Sequence, residues 1–253
     1  PFLKLKYFNF LRKSFLSQKL INLISKVLKD DFSYMHLAYK IEVFKKGFSA
    51  DDEFYNSRWL CSFLPEEINE ILKEGNFKDN FINHKVYNFI NEIIKETNSS
   101  DQYDKLLNQY QNYYLPDLIC SHTDKANMIF SIEARSPFLD KDLFNLMNSV
   151  ENKKKYNAKY SKIFLRNFLS KNGLLKSAKQ IRKKGFAFPV AKLINTVLKE
   201  KIEKSFKKNN CLESIIDSKY IYKYLNDHFE YRKNNFKKIW NLYVLNEWIN
   251  LNL

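Results

Sequence analysis

Apolar residues recur along this chain at three- and four-residue intervals, and that spacing predicts helices almost from end to end. Residues 2–28 carry Phe10, Leu11, Phe15, Leu20, Leu23, Ile24, Val27 and Leu28 near helical spacing, with basic residues between them. A basic amphipathic helix of this kind either packs on a protein core or lies on a membrane surface. Residues 34–46 predict a second helix, ended by Gly47. Asp51 is a candidate cap for the next, DEFYNSRWLCSFL. PEEINEILKEG then shows a start and a stop. Pro65 takes the first helical position, Glu66 and Glu67 the first turn, Ile68, Ile71 and Leu72 the apolar face, and Gly75 follows. Further helices are expected over 80–96, 102–113, 140–150, 160–170, 190–207 and 218–230, and in the closing FKKIWNLYVLNEWINL. TNSSD reads as a loop whose last residues cap the helix at 102, and ENKKKYNAK as another loop. No segment alternates with period two between turn signals. The expected fold is all-α, a single helical domain over residues 1–253.

One stretch departs from this regularity. Tyr114 to Asp140 reads YLPDLICSHTDKANMIFSIEARSPFLD and concentrates acids, prolines and small residues. Pro116 suits a helix start, where its missing N–H has no partner to lose, and Asp117 suits the first turn, where the helix dipole favours an anion. Asp117, Ser121 and Asp124 are spaced i, i+4, i+7 and share a face on an α-helix. Glu133 lies nine residues past Asp124, about half a turn out of phase at roughly 100° per residue. The helix must therefore end or bend before Glu133 if both are to face one pocket. Pro137 pushes Ser136 out of the helical region. The expected sequence of events is a helix, an extended SIEARSPF segment that delivers Glu133, and a new helix capped by Asp140. Glu133 with Arg135 two residues on is either a catalytic acid and its neighbour or a buried structural ion pair; spacing alone leaves both open.

Composition narrows the chemistry. The chain has only four glycines, Gly47, Gly75, Gly173 and Gly185, and no GxGxxG or GxxxxGK[ST]. No loop here cradles phosphates through backbone N–H groups, so a nucleotide's phosphates must be held elsewhere. The formal net charge is +15, which suits an anionic partner or a solvated lysine-rich surface. The lysines are dispersed and arginine is rare, which argues against a specific nucleic-acid reader. Cys61, Cys120 and Cys211 are odd in number and far apart, and His36, His84, His122 and His228 have no metal-ligand spacing. Neither a disulfide framework nor a metal site is expected, and a reducing, cytoplasmic setting fits. No apolar run approaches the roughly 20 residues that span a bilayer. PFLKLKYFNF lacks the apolar core of a signal peptide, and the absence of an initiator Met suggests that the chain begins within a longer protein. A second basic feature is Arg182-Lys183-Lys184-Gly185-Phe186 with Pro189 after it, suited to a loop that lays a lysine on a phosphate.

These stretches resemble a known family. YLPDLICSHTDKANMIFSIEARSPFLD is similar to the YLPDxLLxxxDRxSMxxSxEARxPFLD segment of glutamine-dependent asparagine synthetases. KYSKIFLRNFL resembles the family's K-x-x-L-R helix, with Lys162 and Arg166 in place, and IRKKGFAFPVAKLI its RRKKGFxxPxxxWL segment. IWNLYVLNEWI resembles the closing LWxLLVLExWL helix, and YNSRWLCSFLPEEINEIL an upstream helix pair. The likeness runs from about residue 55 to the end and is weak before it.

The resemblance implies the C-terminal part of an ATP-dependent amidotransferase ligase. Such enzymes activate a carboxylate, aspartate or a relative, as its acyl-adenylate with ATP and Mg2+, and aminate it with ammonia channelled from a glutaminase domain. Neither the SGGxDS ATP loop nor the N-terminal Cys nucleophile of that family stands in this sequence. The implied fold is the helical remainder of an adenine nucleotide α-hydrolase-like (PP-loop) synthetase domain, with the α/β sheet portion and the glutaminase portion as missing partners. Such a fragment is expected to be inactive alone. Its active-site wall would be residues 114–140 and 182–189. Glu133 matches the family's glutamate, proposed as the base when ammonia attacks, and Lys184 matches the lysine at the adenylate and pyrophosphate, with Lys183 next to it. Asp124 matches the acid of an Asp-Arg pair, although Lys125 replaces the arginine and removes its planar fork. Asp117 and Arg135 complete the candidates on the substrate and ATP side. Tyr110 stands where many members have Asp, and Ile194 where the family has Trp. The alternative reading is a basic helical module that binds nucleic acid or an anionic surface.

Overall fold

The computed structural model of the protein describes residues 11–30, 32–33, 36–48, 55–75, 78, 88–99, 101–157, 160–174, 188–208 and 210–252. The expected cap at Asp51, the first part of the helix expected from residue 2, all of 79–87, and the basic string 176–187 lie outside the described residues. Two compact units form, one from residues 11–86 and 184–253, the other from residues 1–10 and 87–183. In chain order the helices are α1 Phe15–Val27, α2 Leu37–Lys45, α3 Tyr55–Leu60, α4 Pro65–Ile71, α5 Asn88–Glu96 and α6 Gln102–Gln109. A π-helical stretch Tyr110–Cys120 leads to α7 Ser121–Met128, α8 Lys141–Ser149, α9 Asn152–Lys155 and α10 Ile163–Lys171. α11 Val190–Asn195, α12 Lys199–Lys208, α13 Ser218–Phe229 and α14 Phe236–Asn252 complete the chain. The fold is all-α: two isolated bridges, Leu72 with Ile216 and Tyr156 with Ser161, are the extended pairings among the described residues.

The unit built from both ends of the chain holds its own core. Ile71, Ile194, Ile202, Phe206, Leu212, Ile216, Ile221, Leu225, Ile239, Leu242 and Tyr243 pack together. The sequence face Ile239 to Ile249 is narrower in the structure than its composition suggests. α14 buries the single stripe Ile239, Leu242, Tyr243 and Asn246, while Trp240, Val244, Leu245 and Trp248 stay exposed. Asn246 is fully buried, and its amide donates to Ser205 Oγ of α12 at 2.9 Å. A short antiparallel clip ties the end of α4 to the start of α13, with Lys73 N–H on Ile215 O at 2.9 Å and Asp217 N–H on Ile71 O at 3.0 Å. α4 starts as its sequence predicts. Pro65 opens it, and the Glu67 carboxylate accepts from the Leu64 N–H at 2.9 Å. Glu67 also takes the Lys238 ammonium, which lies over the Phe63 and Tyr224 rings. Burial lowers Lys238 below its ordinary range, and its bond to Glu67 opposes that shift.

His228 on α13 has no solvent exposure. Its Nε2 faces the Ala191 carbonyl at 3.1 Å, and its Nδ1 accepts the Asn235 N–H at 3.2 Å. One nitrogen must donate and the other must accept, which fixes the neutral imidazole with its proton on Nε2. Phe32 stacks on the ring at 4.6 Å. In this unit the helix expected over 2–28 is interrupted at Ser14, whose extended backbone and Oγ cap α1 by accepting from Ser17 N. A side-chain acceptor at that point starts a new helix rather than continuing the old one.

The unit around residues 87–183 carries the acid-bearing stretch. α5 and α6 pack through Ile90, Ile93, Ile94 and Leu106. Asn108 reinforces the pair by donating to Ile93 O at 3.1 Å and Thr97 Oγ1 at 2.7 Å. Asp101 caps α6 through the Tyr103 N–H at 2.9 Å, as the loop chemistry predicts. ENKKKYNAK, expected as loop, contains the short helix α9, anchored where Asn152 donates to the Asp104 carboxylate at 2.5 Å.

Candidate active-site wall

The segment expected to begin a helix at Pro116 does not begin one. Residues 102–128 form one continuous helical rod, α6 to α7, in which Pro116 sits inside the π-helical stretch. An α-helical turn would press the proline ring against the carbonyl of Asn112 and lose a hydrogen bond. The wider i→i+5 winding relieves the clash, and the Ser121 N–H reaches Pro116 O, five residues back. The change of winding also alters helical phase. Asp117 lies in the π-helical stretch and Asp124 in the first turn of α7, so the shared face expected from uniform α spacing does not hold. Both carboxylates are exposed.

After Met128 the chain leaves the helix as expected. Ser131 adopts a left-handed φ of 55°, and residues 132–136 run without regular structure into a 3-10 turn at Pro137–Leu139. Asp140 then caps α8, accepting from Asp142 N at 3.1 Å and Leu143 N at 3.0 Å. Asp140→Ala removes both bonds and is expected to destabilise α8 by about 1 kcal/mol, read as lost helicity in this unit on thermal melting followed by circular dichroism.

Glu133 sits in the segment between these helices. Its Oε1 meets Arg135 Nη2 at 2.8 Å, and the two side chains are 67% and 83% exposed. The pair exists, but it is a surface pair and not a buried structural one; in water such a pair contributes roughly 0–1 kcal/mol. It therefore does little for the fold. In the same stretch of sequence Met128, Ile129, Phe130, Ile132, Phe138 and Leu139 are all exposed. Ile129 and Phe130 are more than 70% exposed, at 78% and 74%. Consecutive apolar side chains presented this way mark a surface meant to be covered. This collar was missed in the sequence because MIFSI reads equally well as the buried end of a helix.

Of the six candidate side chains, the structure brings Glu133 and Arg135 together. Asp117 and Asp124 stand on the rod leading to them without an ion pair among the described residues. Lys183 and Lys184 lie outside the described residues. No group of three or more His, Cys, Asp and Glu side chains able to hold a metal ion occurs among the described residues. No described helix is long and apolar enough to cross a membrane.

The helical rod thus ends in an extended segment that carries Glu133. The chain belongs to the asparagine synthase family, whose model matches residues 64–250. Among curated proteins, asparagine synthetase [glutamine-hydrolyzing] 1 of Bacillus subtilis (strain 168) is 27% identical over 131 residues, which is 51% of this chain and 20% of that protein. The chain thus aligns with about a fifth of that relative's length. No solved structure matches the chain.

Proposed function

We propose that this chain supplies the helical wall of an ATP-dependent, amide-forming ligase, with Glu133 as the base for attack of ammonia on an activated carboxylate. The observation that carries this reading is the family match over residues 64–250, which spans Glu133 and the exposed apolar residues on either side of it in the sequence. Ammonia forms the C–N bond through its lone pair, and the nitrogen must then lose a proton. A carboxylate held beside it takes that proton while the leaving group departs from the acyl carbon. Arg135 holds the carboxylate in place. Activation of the carboxylate belongs to a portion bearing the SGGxDS loop, and covering the collar with that portion would dry the site and strengthen its electrostatics. By the family resemblance, Lys184, or Lys183 beside it, is assigned to the leaving group, and Asp117 and Asp124 to the substrate. ATP and Mg2+, the aspartate-like carboxylate and the glutaminase that supplies ammonia belong to this same reading.

The reading predicts that the 253-residue chain alone catalyses no ATP–pyrophosphate exchange, and that amide formation appears when an SGGxDS-bearing upstream portion is supplied. Exchange by the chain alone, at a rate above a blank, would sink it.

A further inference from the structure

α1 is built the wrong way round for a helix that serves only as scaffolding. Its half-buried side is mostly polar: Ser14, Ser17, Gln18 and Ser25, with Ile21 and Leu28 among them. It rests on α2, where Lys45 Nζ donates to Ser25 Oγ at 2.8 Å. Its other apolar residues face outward. Phe15, Leu16, Leu20, Leu23, Ile24 and Val27 are all exposed, from 40% to 81%, and no residue of α1 is buried. Leu16, Leu20, Leu23, Ile24 and Val27 fall within an arc of about 100° on a helical projection. Lys19 and Lys26, both exposed, run along one edge of that arc. Residues 11–29 contain five basic residues and no Asp or Glu.

We propose that α1 is an in-plane anchor that lays its apolar stripe into an anionic lipid surface. Exposed Leu, Ile and Val beside lysines is the composition that seats at the boundary of headgroups and acyl chains. The 13 residues of α1 are too short for the roughly 30 Å of a bilayer core, so the helix lies along the surface. Charge selects lipid over a second copy of the chain. Two α1 stripes face to face would bring lysine edges together with no acid on either helix, whereas anionic headgroups neutralise Lys19 and Lys26. The proposal is independent of the ligase reading, because α1 contains none of its residues.

The test is cosedimentation of the full 253-residue chain with phosphatidylserine–phosphatidylcholine vesicles and with phosphatidylcholine alone. Binding to the anionic vesicles is expected, with release near 1 M salt, where charges are screened beyond about 3 Å. Leu20→Glu with Leu23→Glu is expected to weaken binding by at least about 100-fold. Lys19→Gln with Lys26→Gln is expected to weaken it about 25-fold. As an independent readout, Val27→Trp should be quenched by brominated lipid, and this measurement stands even if the glutamate variant loses helix content. Absence of binding to anionic vesicles overturns the proposal, and so does unchanged binding by a folded glutamate variant. Lack of bromolipid quenching overturns it too. A wild-type dimer that the glutamate variant dissociates, without vesicle binding, assigns the stripe to a second copy instead.

Discussion

In the assembled ligase, Glu133→Ala is expected to lower amide formation by about 100- to 10,000-fold, the range that one positioned general base contributes. The loss should fall on kcat with KM for the carboxylate close to unchanged, because the proton is lost only as the C–N bond forms. Glu133→Gln should behave like the alanine variant, since the amide keeps the shape and polarity of the side chain but cannot take the proton. Arg135→Ala should cost much less, because Arg135 orients Glu133 without meeting the reacting atoms. An ammonia-dependent assay, with glutamine hydrolysis bypassed, isolates this step. A Glu133→Gln enzyme that retains wild-type kcat would remove Glu133 as the base and return the pair to a surface contact. The weak worth of an exposed ion pair makes the experiment clean: neither variant is expected to alter folding by more than about 1 kcal/mol.

The candidate wall was legible where local chemistry decides the backbone. Pro137 and Asp140 act on their immediate neighbours, so the exit from helix before Glu133 and the cap on α8 could be read from the sequence. Pro116 shows the limit. Alone it signals a helix start, but flanking turns that already favour helix make a π-helical adjustment cheaper than a break, and the rod runs through. The orientation of whole faces was also hidden. α14 presents seven apolar candidates from Ile239 to Ile249, and only packing against its neighbours selects the stripe that is buried. In α1 the same apolar periodicity that elsewhere marks a core face lies outward, because the side bearing Ser25 meets α2. Periodicity specifies that a helix has an apolar face, and the tertiary neighbours specify whether that face is covered. The link from Glu133 to a reaction came from motif resemblance, since the exposed pair has no local signature that separates a base from a surface acid.

His228 carries the largest expected effect of pH on stability. With no exposure and both ring nitrogens committed to backbone groups, it is held neutral, and burial lowers its pKa from 6.5 to about 4, with the backbone of Ala191 and Lys233 and the Asp30 carboxylate opposing. Between those two pH values the unfolded chain binds a proton that the folded chain refuses. The contribution of His228 is therefore complete above its unfolded pKa, falls as pH drops, and is gone below its folded pKa. Its size is about 3 kcal/mol, a large fraction of a typical domain's stability. Trp59, Trp240 and Trp248 all belong to the same unit as His228, so urea denaturation followed by tryptophan fluorescence reads the relevant transition. The midpoint should fall steeply between neutral pH and pH 4. His228→Gln, which keeps a donor for the Ala191 carbonyl but cannot titrate, should start about 1–3 kcal/mol less stable at neutral pH, because the Asn235 N–H loses its acceptor. Its pH dependence should be flatter by the His228 contribution, so that the variant and the wild type converge, or cross, near pH 4. Parallel curves for the two proteins would show that the acid sensitivity of this unit comes from other groups, such as Glu67, whose pKa is raised by burial but lowered overall by Lys238 and the Leu64 N–H.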